Sequence, residues 1–412
     1  MKQSKEEIIR RRRLFLQAAG AGLIGLMSQS SKSWAAAMET LSFGNGEREL
    51  IAYPQKRKLM RITTRPPHLE TPFEVFDEGV ITPNDAFFVR YHLANFPLSI
   101  NPETYQLKVG GNVNTPLSLS LADLKAMPTE EVVAVNQCSG NSRGYSVPRV
   151  FGAQLGNGSM GNARWVGVPV KTVLEKAGVK AGTVQVAFNG LDKPVLPSTP
   201  DFVKTLEIDH ALNGEPLIAW EMNGEELPFL NGYPIKLIVP GYFGTYWVKH
   251  LSQITLLDKA FDGHDSFFMN TAYRLPDNDC ACVEPATTAD KTKPIGKLKV
   301  RSFITNLNNQ QQIKVNETLS LRGIAFDGGS GIREVEVSSD GGQHWAEAKL
   351  GKDLGRFSFR AWSILLKPSV TGALSLMVRA TANSGEQQPM VATWNPGGYA
   401  RNVVETLQVN VI

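Results

Sequence analysis

Across residues 285–294 the sequence changes character, and this break constrains the fold more than any other feature. The stretch ATTADKTK at 286–293 is polar, has no apolar periodicity and lies between Pro285 and Pro294, the pattern of a linker. Beyond it, strand signals return every ten or so residues, at 318–325, 335–338, 356–362 and 374–381. The runs DGGSG at 327–331 and DGG at 340–342 separate them as turns. That spacing predicts an all-β antiparallel sandwich of about 110 residues. Before the break, residues from about 50 to 285 mix element types. A short buried strand at 132–135 runs into Asn136, Gln137 and Cys138; a helix at 168–177 is closed by Gly178; strands are expected at 184–188 and 235–240. Glycine and proline are scattered throughout, so this half is an α+β domain and not a regular βαβ repeat. The 412 residues suffice for two or three such units.

The N-terminus has a separate logic. Arg10, Arg11, Arg12 and Arg13 precede an apolar, Gly/Ala-rich run at 18–27 and a small-residue site at Ala35, Ala36 and Ala37. The run is too short for a bilayer, which takes ~20 residues. Charge, apolar run and small residues stand in export order, and RRLFL at 12–16 resembles the twin-arginine type of signal peptide. That route carries folded proteins and suits an enzyme whose cofactor is inserted before export. The expectation is a signal peptide at 1–37, a mature chain starting near Met38, and a periplasmic location. No other run approaches a membrane span. The net charge of +4 is mild and, outside this block, spread along the chain, so no nucleic-acid partner is expected. Three cysteines, Cys138, Cys280 and Cys282, leave at least one thiol unpaired or used by chemistry. No CxxCH is present, so no c-type haem is expected on this chain. Cys280 and Cys282 are close enough to suggest a metal pair, but a structural or redox-labile pair is preferred.

A lone cysteine is usually a small buried hydrophobe. Cys138 has a different setting: it opens the loop Cys138, Ser139, Gly140, Asn141, Ser142, Arg143, where the arginine favours a thiolate. Thiolates suit a soft, redox-active metal. This loop resembles the cysteine loop of the sulfite oxidase family, and further stretches match in order: FFVRYH at 87–92, NGLD at 189–192 and IKLIVPGYFGTYWVK at 235–249. Residues 323–345 resemble the immunoglobulin-like dimerisation domain found beside the molybdenum domain of that family. GNARW at 161–165, TAY at 271–273 and WNPGGY at 394–399 bring the chain nearest to the bacterial periplasmic sulfite dehydrogenases.

The resemblance implies a molybdopterin-binding α+β domain at 38–285, followed by an immunoglobulin-like sandwich at 286–412. It implies a molybdenum–molybdopterin cofactor with Cys138 as the protein's ligand to the metal. By position, Arg90, Arg143 and Arg401 match the substrate arginines, whose planar guanidinium groups suit a compact oxyanion. Tyr273 matches the active-site tyrosine, and His92 would bridge cofactor and substrate. Arg90, Tyr91, His92, Asp192, Asn231, Lys236, Trp247, Val248 and Lys249 match cofactor-binding positions, with Lys236 and Lys249 facing the pterin phosphate. Asn231 and Lys236 replace a histidine and an arginine of the animal members, and Leu155 stands where many members carry a tryptophan. The implied reaction is oxidation of sulfite to sulfate by oxygen-atom transfer, with electrons leaving to a c-type cytochrome or haem subunit and the chain a possible homodimer. Two alternatives are an exported reductase of the same fold, of the methionine sulfoxide type, and a non-catalytic exported binding protein.

Overall fold

The computed structural model describes residues 40–43 and 46–412. The export segment and the expected start at Met38 lie outside the described residues. The first unit holds three sheets. In one, strands follow chain order and end with His68–Glu70 against Val89–Arg90, which places His68 opposite Arg90. In the second, Leu251–Leu257 lies between Gln185–Gly190 and Leu107–Gly111 and runs parallel to the latter. The third pairs Glu130–Gln137 with Met160–Pro169, and that strand with Leu217–Met222, which also pairs with Lys236–Ile238.

The strand expected at 132–135 extends over Glu130–Gln137, and its last five residues are buried on both faces. Trp165 fixes its position, because the indole N–H donates to Ala134 O at 3.1 Å. The expected helix begins two residues later than its pattern, at Val170, since Pro169 occupies its N-cap. Val170, Val173, Leu174 and Ala177 are buried at the spacing of a single helical face. Gly178 closes it with φ 72°, a conformation that disfavours any other residue, and its N–H caps Leu174 O.

The second unit is mostly strand. A four-stranded and a five-stranded sheet enclose a core of residues such as Val300, Leu321, Trp362, Val335, Val378 and Val409. Two sequence expectations are corrected. The strand expected at 356–362 forms as Arg360–Leu366. Residues 356–359 turn inward instead, because Phe357 O accepts the Val135 N–H and Phe359 is buried in the first unit's core. The end of the expected linker is ordered: Thr292–Pro294 pairs with Arg274–Pro276. The same main core takes Phe303, Ile324 and Phe326 from the second unit, so the two units share one hydrophobic interior. Among the described residues no helix is long and apolar enough to cross a membrane.

Candidate active site

Cys138 follows directly on the buried strand Glu130–Gln137 and opens a tight loop fixed by its own backbone. Its N–H donates to Ser159 O at 2.9 Å, its carbonyl accepts Asn141 N–H at 3.0 Å, and Arg143 N–H donates to Gly140 O at 2.9 Å. Ser142 turns the chain with φ 69°. The loop also meets the second unit: Ala400 N–H donates to Ser139 O at 3.0 Å, and Arg143 Nε donates to Gly397 O at 2.7 Å. Gly140 and Gly152 flank the Arg143 guanidinium, and a Cβ on either would lie within 2.7 Å of its nitrogens. The thiol of Cys138 is free and half-buried.

Two cavities meet at Cys138, Arg90, His92 and Tyr273. The deeper one is lined by Tyr91, Asp192, Asn231, Lys236, Trp247 and Lys249 besides those four. Its electrostatics are unusual. Lys236 is 1% exposed and makes no ion pair with a described carboxylate; its ammonium sits over the rings of Trp165 and Trp247 at 4.9 and 5.3 Å. Burial pulls it down to about 7. Lys249 lies 3.8 Å over the Tyr91 ring and donates to Leu230 O; burial, then the charges of Lys236 and Lys56, hold it well below the usual lysine range. Asp192 is pushed up to about 6 by burial. Asn136 Oδ1, Ser139 Oγ and Thr245 Oγ1 are buried in the same wall with no hydrogen-bond partner among the described residues. Gly244 leaves Asn136 its room, since a Cβ there would lie 2.2 Å from Oδ1. Converging buried cations and orphaned polar atoms are the features of a site for a large, polar, anionic ligand.

The wider cavity opens outward and adds Arg143, His68, Leu155, Gly397 and Tyr399. His92 Nε2 and the Tyr273 hydroxyl are 2.7 Å apart, and Phe202 stacks on His92 at 3.7 Å. Burial first, then Arg90 and Lys204, hold His92 well below its usual value, which keeps the ring neutral beside the tyrosine hydroxyl. Arg90 makes no ion pair with a described carboxylate and faces both cavities. The structure thus brings together every expected site residue except two. Val248 is core: its N–H donates to Tyr246 O and its carbonyl accepts Leu237 N–H. Arg401 lines neither cavity, and its charge acts on Tyr145 and Arg301. Ala400, at φ 57° with its N–H tied to Ser139, turns the chain so that Arg401 leaves the pocket. Tyr399 stands there instead, stacked on Tyr273 at 5.3 Å and 5.0 Å beneath the Arg143 guanidinium. Arg143→Gln is therefore expected to raise the Michaelis constant for an oxyanion substrate about 10-fold or more, and Arg401→Gln to leave it unchanged. Steady-state kinetics with metal quantified in each variant checks this, and equal losses would return Arg401 to the pocket.

Sequence reasoning missed four residues. Lys56 donates to Asn231 Oδ1 at 2.5 Å and to Phe87 O, while Asn231 Nδ2 donates to Phe88 O, so Asn231 fixes the cavity floor. Lys204 is buried beside the Tyr246 and Tyr273 rings. Phe202 and His68 complete the set. Lys204 and His68 lie on short strands, Phe202 at a strand edge and Lys56 in a loop, none with a periodic signal, and only the lysines, improbable inside a core, stand out by residue type. Cys280 and Cys282 form a disulfide. Among the described residues no group of three or more His, Cys, Asp or Glu side chains could hold a metal ion.

Comparison with known proteins adds to this geometry. Residues 93–265 match the family model "Oxidoreductase molybdopterin binding domain", and residues 292–411 match "Mo-co oxidoreductase dimerisation domain". The chain is 31% identical over 378 residues to the mitochondrial sulfite oxidase of Rattus norvegicus, covering 87% of this chain and 67% of that protein. It is 32% identical over 363 residues to the sulfite oxidase of Gallus gallus, covering 84% and 76%. Among solved structures, the sulfane dehydrogenase SoxCD from Paracoccus pantotrophus shares the fold, with a TM-score of 0.73, 24% identity and 88% of each chain covered.

Proposed function

This chain belongs to the sulfite oxidase family of molybdopterin-binding oxidoreductases, and from that premise we propose that it oxidises sulfite to sulfate and passes the electrons to a separate haem carrier. One observation carries the reading: Cys138, Arg90 and Arg143 border one open cavity, and behind Cys138 lies a deep cavity floored by buried cations with no ion pair to a described carboxylate. The residues present fit the cofactor. The ammonium groups of Lys236 and Lys249 would hold an anionic phosphate, the orphaned Asn136, Ser139 and Thr245 atoms would meet a polar ring system, and Cys138 would supply the thiolate to the metal. When bound, the molybdenum cofactor supplies oxygen-atom transfer to sulfur and accepts the two electrons released.

The chain's own residues do the rest. Arg90 and Arg143 bind the oxyanion and orient its sulfur toward Cys138. Neutral His92 holds the Tyr273 hydroxyl in place through their hydrogen bond. Apolar Leu155 and the stacked rings of Tyr273 and Tyr399 exclude water from the inner wall. The C-terminal unit, which we take to be immunoglobulin-like, would pair two copies. The test is metal analysis of purified protein with sulfite-dependent reduction of cytochrome c. Absence of sulfite turnover in metal-loaded protein would overturn the reading.

One observation favours a second substrate reading. Gly397 and Tyr399 line the outer cavity and Arg401 does not, which would leave room beside a compact oxyanion. That room suits sulfur carried on a larger molecule, and the protein that shares the fold is a sulfane dehydrogenase. Turnover of a sulfane compound such as thiosulfate in preference to sulfite would decide for it. Export by the twin-arginine route remains part of the proposal. Changing Arg12 and Arg13 to Lys is expected to trap the protein in the cytoplasm, as fractionation and immunoblotting would show; unchanged export would indicate another route.

A further inference from the structure

Oxidation of sulfite uses one water: an S–O bond forms, two O–H bonds break, and two electrons and two protons leave. The electrons go to the one-electron acceptor proposed above. The protons are released in a cavity walled by Arg90 and Arg143, whose charges oppose their accumulation. We propose that His68, Ser159 and Glu70 form a proton exit from the substrate cavity to the cleft between the two units. The inference rests on the oxidase reading.

The geometry is a continuous chain of hydrogen bonds. His68 lines the substrate cavity, and its Nδ1 has no hydrogen-bond partner among the described residues. Its Nε2 lies 2.9 Å from Ser159 Oγ. Ser159 Oγ donates to Glu70 Oε1 at 2.7 Å, and Glu70 Oε2 accepts the Gly156 N–H at 3.1 Å. Glu70 borders a second cleft, lined from the other unit by Ser302, Phe303 and Glu405. One short strand, His68–Glu70, therefore carries both ends of the chain, one facing each cavity. Among the described residues Glu70 has no cationic hydrogen-bond partner, and burying a carboxylate without one favours its protonated form.

The transfer balances. A proton taken at His68 Nδ1 lets Nε2 pass its own to Ser159 Oγ, as the serine hydroxyl passes its proton to Glu70 Oε1. The glutamic acid then releases a proton to water in the cleft, and rotation of the serine hydroxyl with a flip of the imidazole ring restores the starting hydrogen-bond pattern. The charged groups around the chain are placed to move the proton on. Burial, then Arg90, Arg143 and Lys249, keep His68 neutral, so a proton does not rest there. Burial brings Glu70 up to about 7, against the lowering effect of its two hydrogen bonds and of Arg48, so it both takes and gives a proton near neutrality. Across the cleft, Glu405 is ion-paired with Arg301 at 2.6 Å.

The experiment uses the metal-loaded full-length protein with sulfite and ferricyanide. Glu70→Gln keeps one acceptor oxygen, for the Gly156 N–H, turns its amide N–H₂ toward Ser159 Oγ, and takes no proton. The expected result is a kcat lowered about 100-fold, the low end for loss of proton-transfer assistance. The KM for sulfite and the metal content should not change, the solvent deuterium isotope effect should rise, and added imidazole should restore turnover. Ser159→Ala, which cuts the middle link, should behave alike and decides the matter if Glu70→Gln does not fold. Wild-type kcat and isotope effect in these variants, or a loss that imidazole does not restore, would overturn the relay. A metal-loaded wild type without turnover would sink the oxidase reading and the relay with it.

Discussion

Cys138→Ser is expected to fold normally and to retain less than about 1% of wild-type kcat, a barrier increase of at least about 2.7 kcal/mol at 1.36 kcal/mol per tenfold. The fold should survive because the loop is held by backbone hydrogen bonds to Ser159, Asn141 and Gly140, none of which uses the thiol. The chemistry should not survive. Thiolate is a soft, strongly donating ligand, and a serine hydroxyl neither ionises near neutral pH nor offers comparable softness. Metal and pterin content, melting temperature and sulfite turnover should be measured on the same preparation. An active variant with full metal content would mean that Cys138 is a wall residue of the substrate cavity and that the metal is held by the cofactor alone.

The elements legible in the sequence were those with strong periodic or punctuating signals. The helix Val170–Ala177 announces itself by one apolar face and a closing glycine, and the strand leading to Cys138 by its valines. The site was legible wherever a motif placed a chemistry-bearing residue directly on a rigid element, as with Arg90 and His92 beside strand Val89–Arg90, or Lys236 at the start of its strand. Arg401 shows the limit. It lies two residues beyond Tyr399, and the left-handed backbone at Ala400, tied to the cysteine loop of the other unit, decides which of the two faces the pocket. That contact spans more than 250 residues of sequence and leaves no local mark. Residues 356–359 fail for a related reason: their strand-like composition serves a contact with Val135 in the other unit and not a sheet of their own. Lys56, Lys204 and the Glu70 carboxyl are buried by tertiary packing alone, so nothing in their neighbours predicted it.

Lys236→Met is expected to move cofactor retention and apoprotein stability in opposite directions. Methionine keeps an unbranched stem against Trp165 and Trp247 while removing the ammonium that sits over both rings. In the cofactor-free protein that ammonium is buried without a carboxylate partner, and burial holds it at about 7 against about 10.4 in an unfolded chain. Between those values the unfolded state binds more protons, so Lys236 makes the wild-type apoprotein more stable as pH rises from about 7 toward 10.4, and less stable below that window. Urea unfolding of the apoprotein should show this rise, and Lys236→Met should flatten it while raising stability at pH 7. With an anionic cofactor bound the sign reverses, because the phosphate stabilises the charged lysine. Losing one charge-assisted contact costs about 1.5–3 kcal/mol, or roughly 10- to 150-fold weaker retention. Cofactor binding must then take up protons above pH 7, so wild-type retention should weaken with rising pH and retention in Lys236→Met should respond less. Equal cofactor content in the two proteins after extended dialysis at pH 7, with identical pH dependence, would mean that the deep cavity is not where the anion binds.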